Sequence, residues 1–322
     1  MINNDLETGR IEMEAKELEI LNQAKTAPFE IDKDTSKVDE DLRLKYRYLD
    51  LRSDRMAKII SLRHETIRFL REYLWKEGFR EIETPYLTKS TPEGAREFIV
   101  PSRIYPGEFY VLPQSPQQFK QLLMVGGIEK YFQIVRCFRD EDQRGDRQPE
   151  FTQLDIEMSF VKQEDIWELI EKMMIEMVKI VCPQKKITQI PFPRITYSEA
   201  MEKYKTDKPD LRKDKNDKNE LAFAWIIDVP MFKYSNTDKK LVSSHHLFTS
   251  PNGEDVKMLD SEPEKARSCA YDLALNGFEV FGGSIRIHDG KLQKKIFDIL
   301  QIPEEEAQRR FGHMLNAFEY GV

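Results

Sequence analysis

No apolar run in this sequence approaches the roughly 18 residues that a membrane-spanning helix needs, so a spanning helix is not expected. Cysteine is scarce: the 3 present, Cys137, Cys182 and Cys269, are far apart and form no Cys-x-x-Cys pair, which argues against a disulfide framework or a thiolate zinc site. The amino terminus has no basic patch leading into an apolar stretch, so no secretory signal is read and a reducing cytoplasmic setting is the expectation. Positive charge is not in excess either. With 50 Lys+Arg against 57 Asp+Glu the net charge is -7, so RNA would have to be met by a local basic patch and not by overall attraction. What is there is a 322-residue chain, 40% hydrophobic and 33% charged, long enough for one large or two small domains with a substantial core.

Ile11, Met13 and Ala15 alternate with Glu12, Glu14 and Lys16, the period-two signature of one half-buried strand. Residues 23–41 are polar and contain Pro28, so a folded core is expected to begin near Leu42. Ile60, Ile67, Leu70 and Leu74 fall near one helical face ahead of Gly78, which predicts a helix of about 18 residues. Strands are expected at 79–85, 109–112, 131–138, 151–160 and 223–229. Amphipathic helices are expected at 164–181 and 262–276, the second stopped by Gly277. Strands dispersed among helices, several too close together for βαβ crossovers, define an α+β fold class. The charge-dense run 205–220 reads as a solvated surface bridge.

Ser115-Pro116-Gln117-Gln118 resembles a capping box with proline at the first helical position, so a helix should start there. Gln117 and Lys120 would share one face of it, presenting an amide and an ammonium to a small polar ligand, or forming an ordinary exposed pair. Arg139, Arg144 and Arg147 lie in the loop joining two of the expected strands. They offer fork-shaped donors for phosphate, with a surface ion-pair ladder as the plainer alternative. Asp155 and Glu157, two apart on a strand, face one side and suit an ammonium or a metal ion. Asp272 and Glu279 flank Gly277, and a turn there can bring both carboxylates to one magnesium ion. Gly282-Gly283-Ser284 permits close backbone approach to a ligand, or marks a bulge, and Arg286 shares the Ser284 face. His245-His246 would point apart on a strand and lack a third ligand, which disfavours zinc.

Several longer motifs then fall in register. Tyr46-Arg47-Tyr48-Leu49-Asp50-Leu51-Arg52, Glu83-Thr84-Pro85, Thr91-Pro92-Glu93-Gly94-Ala95, Gln114-Ser115-Pro116-Gln117, Phe138-Arg139-Asp140-Glu141-Asp142, Asp146-Arg147-Gln148-Pro149-Glu150-Phe151-Thr152-Gln153 and Gly282-Gly283-Ser284-Ile285-Arg286-Ile287-His288 resemble, in order, the signatures of the bacterial-type aspartyl-tRNA synthetases of class II. The resemblance covers residues 7–322 and implies a class II synthetase-like antiparallel β-sheet flanked by helices. It also implies Mg2+- and ATP-dependent activation of L-aspartate to aspartyl-adenylate and transfer to the 3' end of tRNA. The enzyme would be a cytoplasmic homodimer, joined through the helix before Gly78 and the strand ending at Pro85. By the same resemblance Arg139 is catalytic, holding the α-phosphate and the aspartate α-carboxylate. ATP would be bound by Arg139, Glu141, Gln148, Phe151 and Glu279, with Phe151 stacked on adenine, and Asp272 and Glu279 would hold Mg2+. Lys120 and Arg286 would meet the aspartate side chain, and Glu93, Gln117, Gln153 and Asp155 its ammonium. Ser115, His245, His246 and Ser284 would complete that pocket. Gln143, Arg144 and Arg147 would touch the tRNA acceptor end.

The departures from the family carry expectations too. Residues 1–31 resemble only the end of the anticodon-binding barrel and its hinge, 32–41 a linker, and 42–322 the catalytic domain. The short charged bridge near 205–220 stands where the family carries an insertion domain. The family's third motif, with its adenine-sandwiching arginine, is not met before Val322. Leu247 stands where the family has proline. Phe281 replaces the first of three glycines and would either narrow the pocket or turn outward. Two other readings stay open: a catalytically inactive truncated paralogue or binding module, and an adenylate-forming relative with a non-tRNA acceptor.

Overall fold

A computed structural model describes residues 2–5, 8–90, 93–143 and 147–320. The chain divides into two compact units, residues 1–64 and 65–322. In the first, Asp39 caps α1 (Glu40–Lys45) by accepting from Leu42 N at 3.2 Å, and α2 (Arg47–Asp50) follows. The fully buried Asp50 carboxylate ties this unit together. Thr35 Oγ1 donates to its Oδ1 at 2.8 Å, Arg47 donates to its Oδ2, and Arg43 Nη1 lies 3.8 Å away. A buried carboxylate persists only when surrounded in this way, which gives the Arg47-to-Asp50 spacing its purpose.

The strand expected at residues 11–15 does not form. Ile11 and Met13 are 81% and 90% exposed, and no neighbouring strand among the described residues of the unit offers a ladder for their backbone groups.

Helix α3 (Asp54–Lys76) starts in the first unit and ends in the second, running longer than periodicity indicated. Leu74 is fully buried and Leu70 packs beside it, but Ile60 is 49% exposed, so the expected apolar face is buried only toward its C-terminal end. Gly78, at φ +83°, lets Phe79 N donate back to Leu74 O at 2.9 Å and so closes the helix.

Along the second unit follow β1 (Arg80–Glu81), the hairpin of β2 (Ile99–Pro101) and β3 (Phe109–Val111), α4 (Gln117–Val125), β4 (Lys130–Phe138), β5 (Glu150–Met158) and α5 (Gln163–Val181). Next come β6 (Lys186–Ile187), β7 (Arg194–Thr196), α6 (Tyr197–Tyr204), β8 (Glu220–Leu221) and β9 (Phe223–Ile227). The hairpins β10 (Phe232–Ser235) with β11 (Lys240–Ser243) and β12 (Ala270–Leu275) with β13 (Phe278–Ser284) lead into α7 (Gly290–Ile299) and α8 (Glu304–Phe318).

Two sheets position the site, where one was expected. In the first, β4 pairs antiparallel with β5 from Lys130↔Met158 to Phe138↔Glu150, and β1 lies parallel on its other side. The second has the order β13-β12-β9-β7, antiparallel except for the parallel β7–β9 pair. Trp167 and Ile170 of α5 bury against Leu74, Phe132, Trp225, Tyr271 and Leu273, forming one apolar core. Its aromatic centre has Trp225 at ring-centroid distances of 6.1 Å from Trp167 and 5.9 Å from Tyr271. A smaller core of Phe248, Phe297, Phe311 and Met314 seats α7 and α8.

The helix expected at 262–276 is overturned. After a short turn at Pro263–Lys265 the chain runs as β12, whose Leu275 pairs with Phe278 across Asn276-Gly277. Asn276 at φ +52° and Gly277 at φ +90° are the two positive-φ positions of a type I′ hairpin turn. The glycine taken for a helix stop is thus half of an Asn-Gly hairpin signal. In the 205–220 bridge residues 213–219 are exposed, as expected of a solvated run, but Pro209 is buried and Arg212 pairs with the half-buried Asp210 at 2.8 Å.

Candidate active site

Strand β5 lays the floor of the site. Its alternation sends Phe151, Gln153, Asp155 and Glu157 to one face. Helix α4 stands over that face, with Gln117, Lys120 and Gln121 all buried. The helix begins one residue later than expected: Pro116 is the cap position and Gln117 the first helical residue, while Ser115 Oγ accepts from Gln117 N at 3.3 Å.

Lys120 Nζ lies 3.0 Å from Asp155 Oδ1 and 3.1 Å from Glu157 Oε2, and donates to Asp155 Oδ2 at 3.2 Å and to Ile156 O at 3.4 Å. Burial acts to lower its pKa, but the two carboxylates outweigh it and the net shift is upward, so Lys120 is an ammonium. Gln153 Nε2 donates to Asp155 Oδ2 at 2.9 Å. Arg286 Nη2 donates to Gln117 Oε1 at 2.7 Å, and Gln117 Nε2 donates in turn to Gln121 Oε1 at 3.0 Å, which fixes which end of the Gln117 amide faces the arginine. Arg286 Nε is buried and has no hydrogen-bond partner.

Glu93 closes this pocket from the side. Ser115 Oγ donates to its Oε2, and its Oε1 is buried without a partner. Burial pushes its pKa up to about 7, against the pull of Ser115, Lys120 and Arg139. A half-satisfied carboxylate poised near neutrality suits an incoming ammonium, which would supply both the missing donor and the missing charge.

Arg139 lies over the Phe151 ring, 5.1 Å from its centroid, and Nε donates to Gln114 O at 3.3 Å. The Gln114 side chain is clamped by both ends to the Ala95 backbone, with Ala95 N donating to Oε1 at 2.9 Å and Nε2 donating to Ala95 O at 3.0 Å. A cleft of about 410 Å³ lies beside it, lined by Gly94, Ala95, Arg96, Asp140, Glu141, Asp142 and Arg147. Gln143 and Gln148 are exposed on the loop between β4 and β5, and Arg144 lies outside the described residues.

The acidic pair forms on the β12–β13 hairpin, by a route other than the helix end foreseen. Asp272 pairs with Gly282 and Ala274 with Glu279, and the ladder slips between Leu273 and Ala274 because β13 carries one extra residue. That bulge brings Glu279 to the Asp272 face. A Cβ on Gly282 would sit 2.8 Å from Asp272 Oδ1 and 3.3 Å from Glu279 Oε1, so the glycine leaves the space in which the two oxygens converge. Burial first, and then Glu279, raises the Asp272 pKa to about 7. Two hard oxygen donors facing one small gap fit a magnesium ion.

Phe281 neither narrows the pocket nor turns outward but packs into the core, opposite Leu273 and edge-on to Trp225 at 6.3 Å. Leu247 packs between the apolar clusters beside α7, and its carbonyl accepts from Gln293 Nε2 at 3.1 Å. Phe248 N donates to His246 Nδ1 at 3.3 Å, and burial together with Arg286 lowers the His246 pKa well below its usual value. His246 is therefore neutral, with its proton on Nε2. Part of His245 reaches solvent, yet the protein around its ring, and then Arg286 and Lys233, also lower its pKa. Ser284 Oγ lies 3.3 Å from Thr249 Oγ1.

The structure therefore gathers Glu93, Ser115, Gln117, Lys120, Gln153, Asp155 and Arg286 into one pocket, and Asp272 with Glu279 into a second group. Glu157 joins the first group as the carboxylate pair with Asp155 that was expected to suit an ammonium, while Gln121 and Gln114 also belong to it although sequence reasoning gave them no part in the pocket. Glu157 was legible from its place two residues after Asp155, and Gln121 from its place one helical turn after Gln117.

The family model described as tRNA synthetases class II (D, K and N) matches residues 39–322, and the chain belongs to that family. Among curated relatives, the aspartate–tRNA ligase of Staphylococcus saprophyticus is 40% identical over 447 aligned residues, covering 100% of this chain and 75% of its own length. That alignment is longer than the 322 residues of this chain, so the relative carries insertions with respect to it. The aspartate–tRNA(Asp/Asn) ligase of Rubrobacter xylanophilus is also 40% identical, covering 99% of this chain and 74% of its own. Among solved structures, the asparaginyl-tRNA synthetase of Pyrococcus horikoshii complexed with asparaginyl-adenylate aligns with a TM-score of 0.70 at 20% identity, over 95% of this chain and 70% of that one. The aspartyl tRNA synthetase of Entamoeba histolytica aligns with a TM-score of 0.62 at 24% identity, over 89% and 56%. These likenesses bear out the expected synthetase-like α+β fold. No helix among the described residues is long and apolar enough to cross a membrane.

Proposed function

We infer that this chain is an aspartate–tRNA ligase, activating L-aspartate with ATP to aspartyl-adenylate and passing the aspartyl group to the 3' end of tRNA. One observation carries the reading: the buried Lys120 and the half-buried Arg286, whose Nε is sealed from solvent, stand together with Glu93, Asp155 and Glu157. A mixed cluster of this kind suits a zwitterion with one extra carboxylate. Asparagine would leave Arg286, whose described partner is the neutral Gln117, without a counter-charge, a loss on the order of 2–3 kcal/mol. Glu93 Oε1, Gln117 and Gln153 would take the ammonium, and neutral His246, with His245 and Ser284, would complete the pocket.

Arg139, braced by Phe151 and Gln114, would hold the α-phosphate and the aspartate α-carboxylate at once, offsetting the repulsion of two anions that must approach in line. No side chain need act as a base, because the attacking carboxylate is already ionised at neutral pH. Phe151 would stack on adenine, and Glu141 and Gln148 would contact the nucleotide. Asp272 and Glu279 would hold Mg2+, which when bound screens the phosphate charge. Gln143, Arg144 and Arg147 would meet the acceptor end, where unstacked nucleotides can be read.

The remaining assignments belong to the same proposal. Residues 1–31 would be the end of an anticodon-binding barrel with its hinge, 32–41 a linker and 42–322 the catalytic domain. The bridge at 205–220 would stand in for an insertion domain. The enzyme would act in the cytoplasm as a homodimer through α3 and the segment up to Pro85, of which only β1 (Arg80–Glu81) forms strand. Support for that interface comes from Trp75, 54% exposed near the C-terminal end of α3. Incubation with ATP, Mg2+, labelled L-aspartate and unfractionated tRNA should place label on the tRNA 3' end. Labelling by asparagine instead would overturn the assignment.

A further inference from the structure

Lys120 has three ammonium protons: it donates to Asp155 Oδ2 and to the carbonyl of Ile156, and its remaining side faces the Glu157 carboxylate, an ion pair at 3.1 Å. A ligand carboxylate can reach this cation only if one of these groups yields. The two side chains differ in how firmly they are held. Asp155 is 4% exposed and accepts a second hydrogen bond, from Gln153 Nε2 at 2.9 Å. Glu157 is 14% exposed, and among the described residues its carboxylate has no hydrogen-bond or ion-pair partner other than Lys120. Next to this pair, Arg286 keeps its Nε buried and unpartnered while Nη2 holds Gln117. Among the described residues the cationic pair thus offers unpaired guanidinium donors on Arg286, the buried Nε among them, and an ammonium position covered by the loosest acceptor in the cluster.

We propose that Glu157 is an exchangeable counter-ion of Lys120: it occupies the position on the ammonium that the side-chain carboxylate of aspartate takes in the complex, and returns to it when the ligand leaves. The inference rests on reading this pocket as the aspartate site. Its physical logic is that a buried ammonium is costly whenever it is left short of charge. An exchange of one carboxylate for another keeps Lys120 paired both before and after binding. Glu157 is then a positioning residue whose competition weakens the affinity for aspartate and hastens release, while Asp155 holds Lys120 in place throughout.

The sign of one substitution separates this from a bracing role. If Glu157 competes with the ligand, Glu157→Gln removes the competing charge, and L-aspartate should bind roughly tenfold tighter, with a slower dissociation rate. If Glu157 only braces Lys120, the same variant should bind aspartate more weakly. Titration calorimetry of the 322-residue chain with L-aspartate, beside a thermal melt of each variant, reads the difference. Wild type binding no aspartate at millimolar concentration would take down the assignment of the pocket itself. Wild type binding aspartate while Glu157→Gln binds equally or more weakly would overturn the exchange. Should Glu157→Gln fail to fold, Glu157→Asp decides: its shorter carboxylate reaches Lys120 poorly, so tighter binding supports competition and weaker binding refutes it.

Discussion

Replacing Asp272 by asparagine should stabilise the unliganded chain, and increasingly so as pH rises. The Asp272 pKa is raised from 3.8 to about 7 by burial and by Glu279. Below the lower value the carboxyl is protonated in both folded and unfolded chains and has no effect on stability. As pH rises from there the unfolded chain ionises first, so folding loses stability until the folded carboxyl also ionises near 7, after which the loss is complete. At about 1.4 kcal/mol for each unit the full loss approaches ~4 kcal/mol. Partial exposure of Asp272 and relaxation of its surroundings reduce that to ~2 kcal/mol. The amide of Asp272→Asn cannot titrate, so the gap in Tm between variant and wild type should widen by ~3 °C from ~pH 5 to ~pH 8. Differential scanning fluorimetry at the two pH values measures it. Millimolar Mg2+ should raise the Tm of wild type at the higher pH and leave the variant unmoved. A variant less stable than wild type at the higher pH, or a gap that does not change with pH, would refute the reasoning.

Asn276→Ala removes a residue suited to φ +52° and two hydrogen bonds, from Ala222 N to Oδ1 and from Nδ2 to Glu220 O, each 2.9 Å. Chemical denaturation should show a loss of ~2 kcal/mol. Phe281→Gly takes an aromatic ring out of contact with Trp225 without touching the pocket. It should cost ~2 kcal/mol or more in stability, visible in the same denaturation experiment, while aspartate affinity stays within about twofold of wild type. Arg139→Ala should keep the wild-type melting profile and lose adenylate formation, which a pyrophosphate exchange assay reports.

Long, regular periodicities were legible in the residues. The pattern of α5 gave its limits to within one residue, and the alternation through β4 and β5 placed both strands and the loop between them. Motif order did the same for the pocket, because Glu93, Lys120, Asp155 and Arg286 sit on different elements that only the tertiary fold brings together. The misreading at 262–276 came from treating Gly277 alone, when Asn276-Gly277 between alternating Tyr271, Leu273, Leu275 and Phe278 specifies a hairpin. The run at 11–15 failed for the opposite reason: its alternation is real, but alternation describes a strand only when another strand pairs with it. The bulge that brings Glu279 beside Asp272 has no local signature, since it depends on the register of one strand against another.

Aspartate-dependent exchange of labelled pyrophosphate into ATP tests the central claim most directly, because it reports adenylate formation apart from tRNA binding. With Mg2+ and the folded chain, exchange should appear with L-aspartate, fall by roughly 100-fold or more with L-asparagine, and vanish in Arg139→Ala. Exchange with asparagine equal to that with aspartate, or no exchange above the Arg139→Ala blank from a chain shown to be folded, would contradict the account.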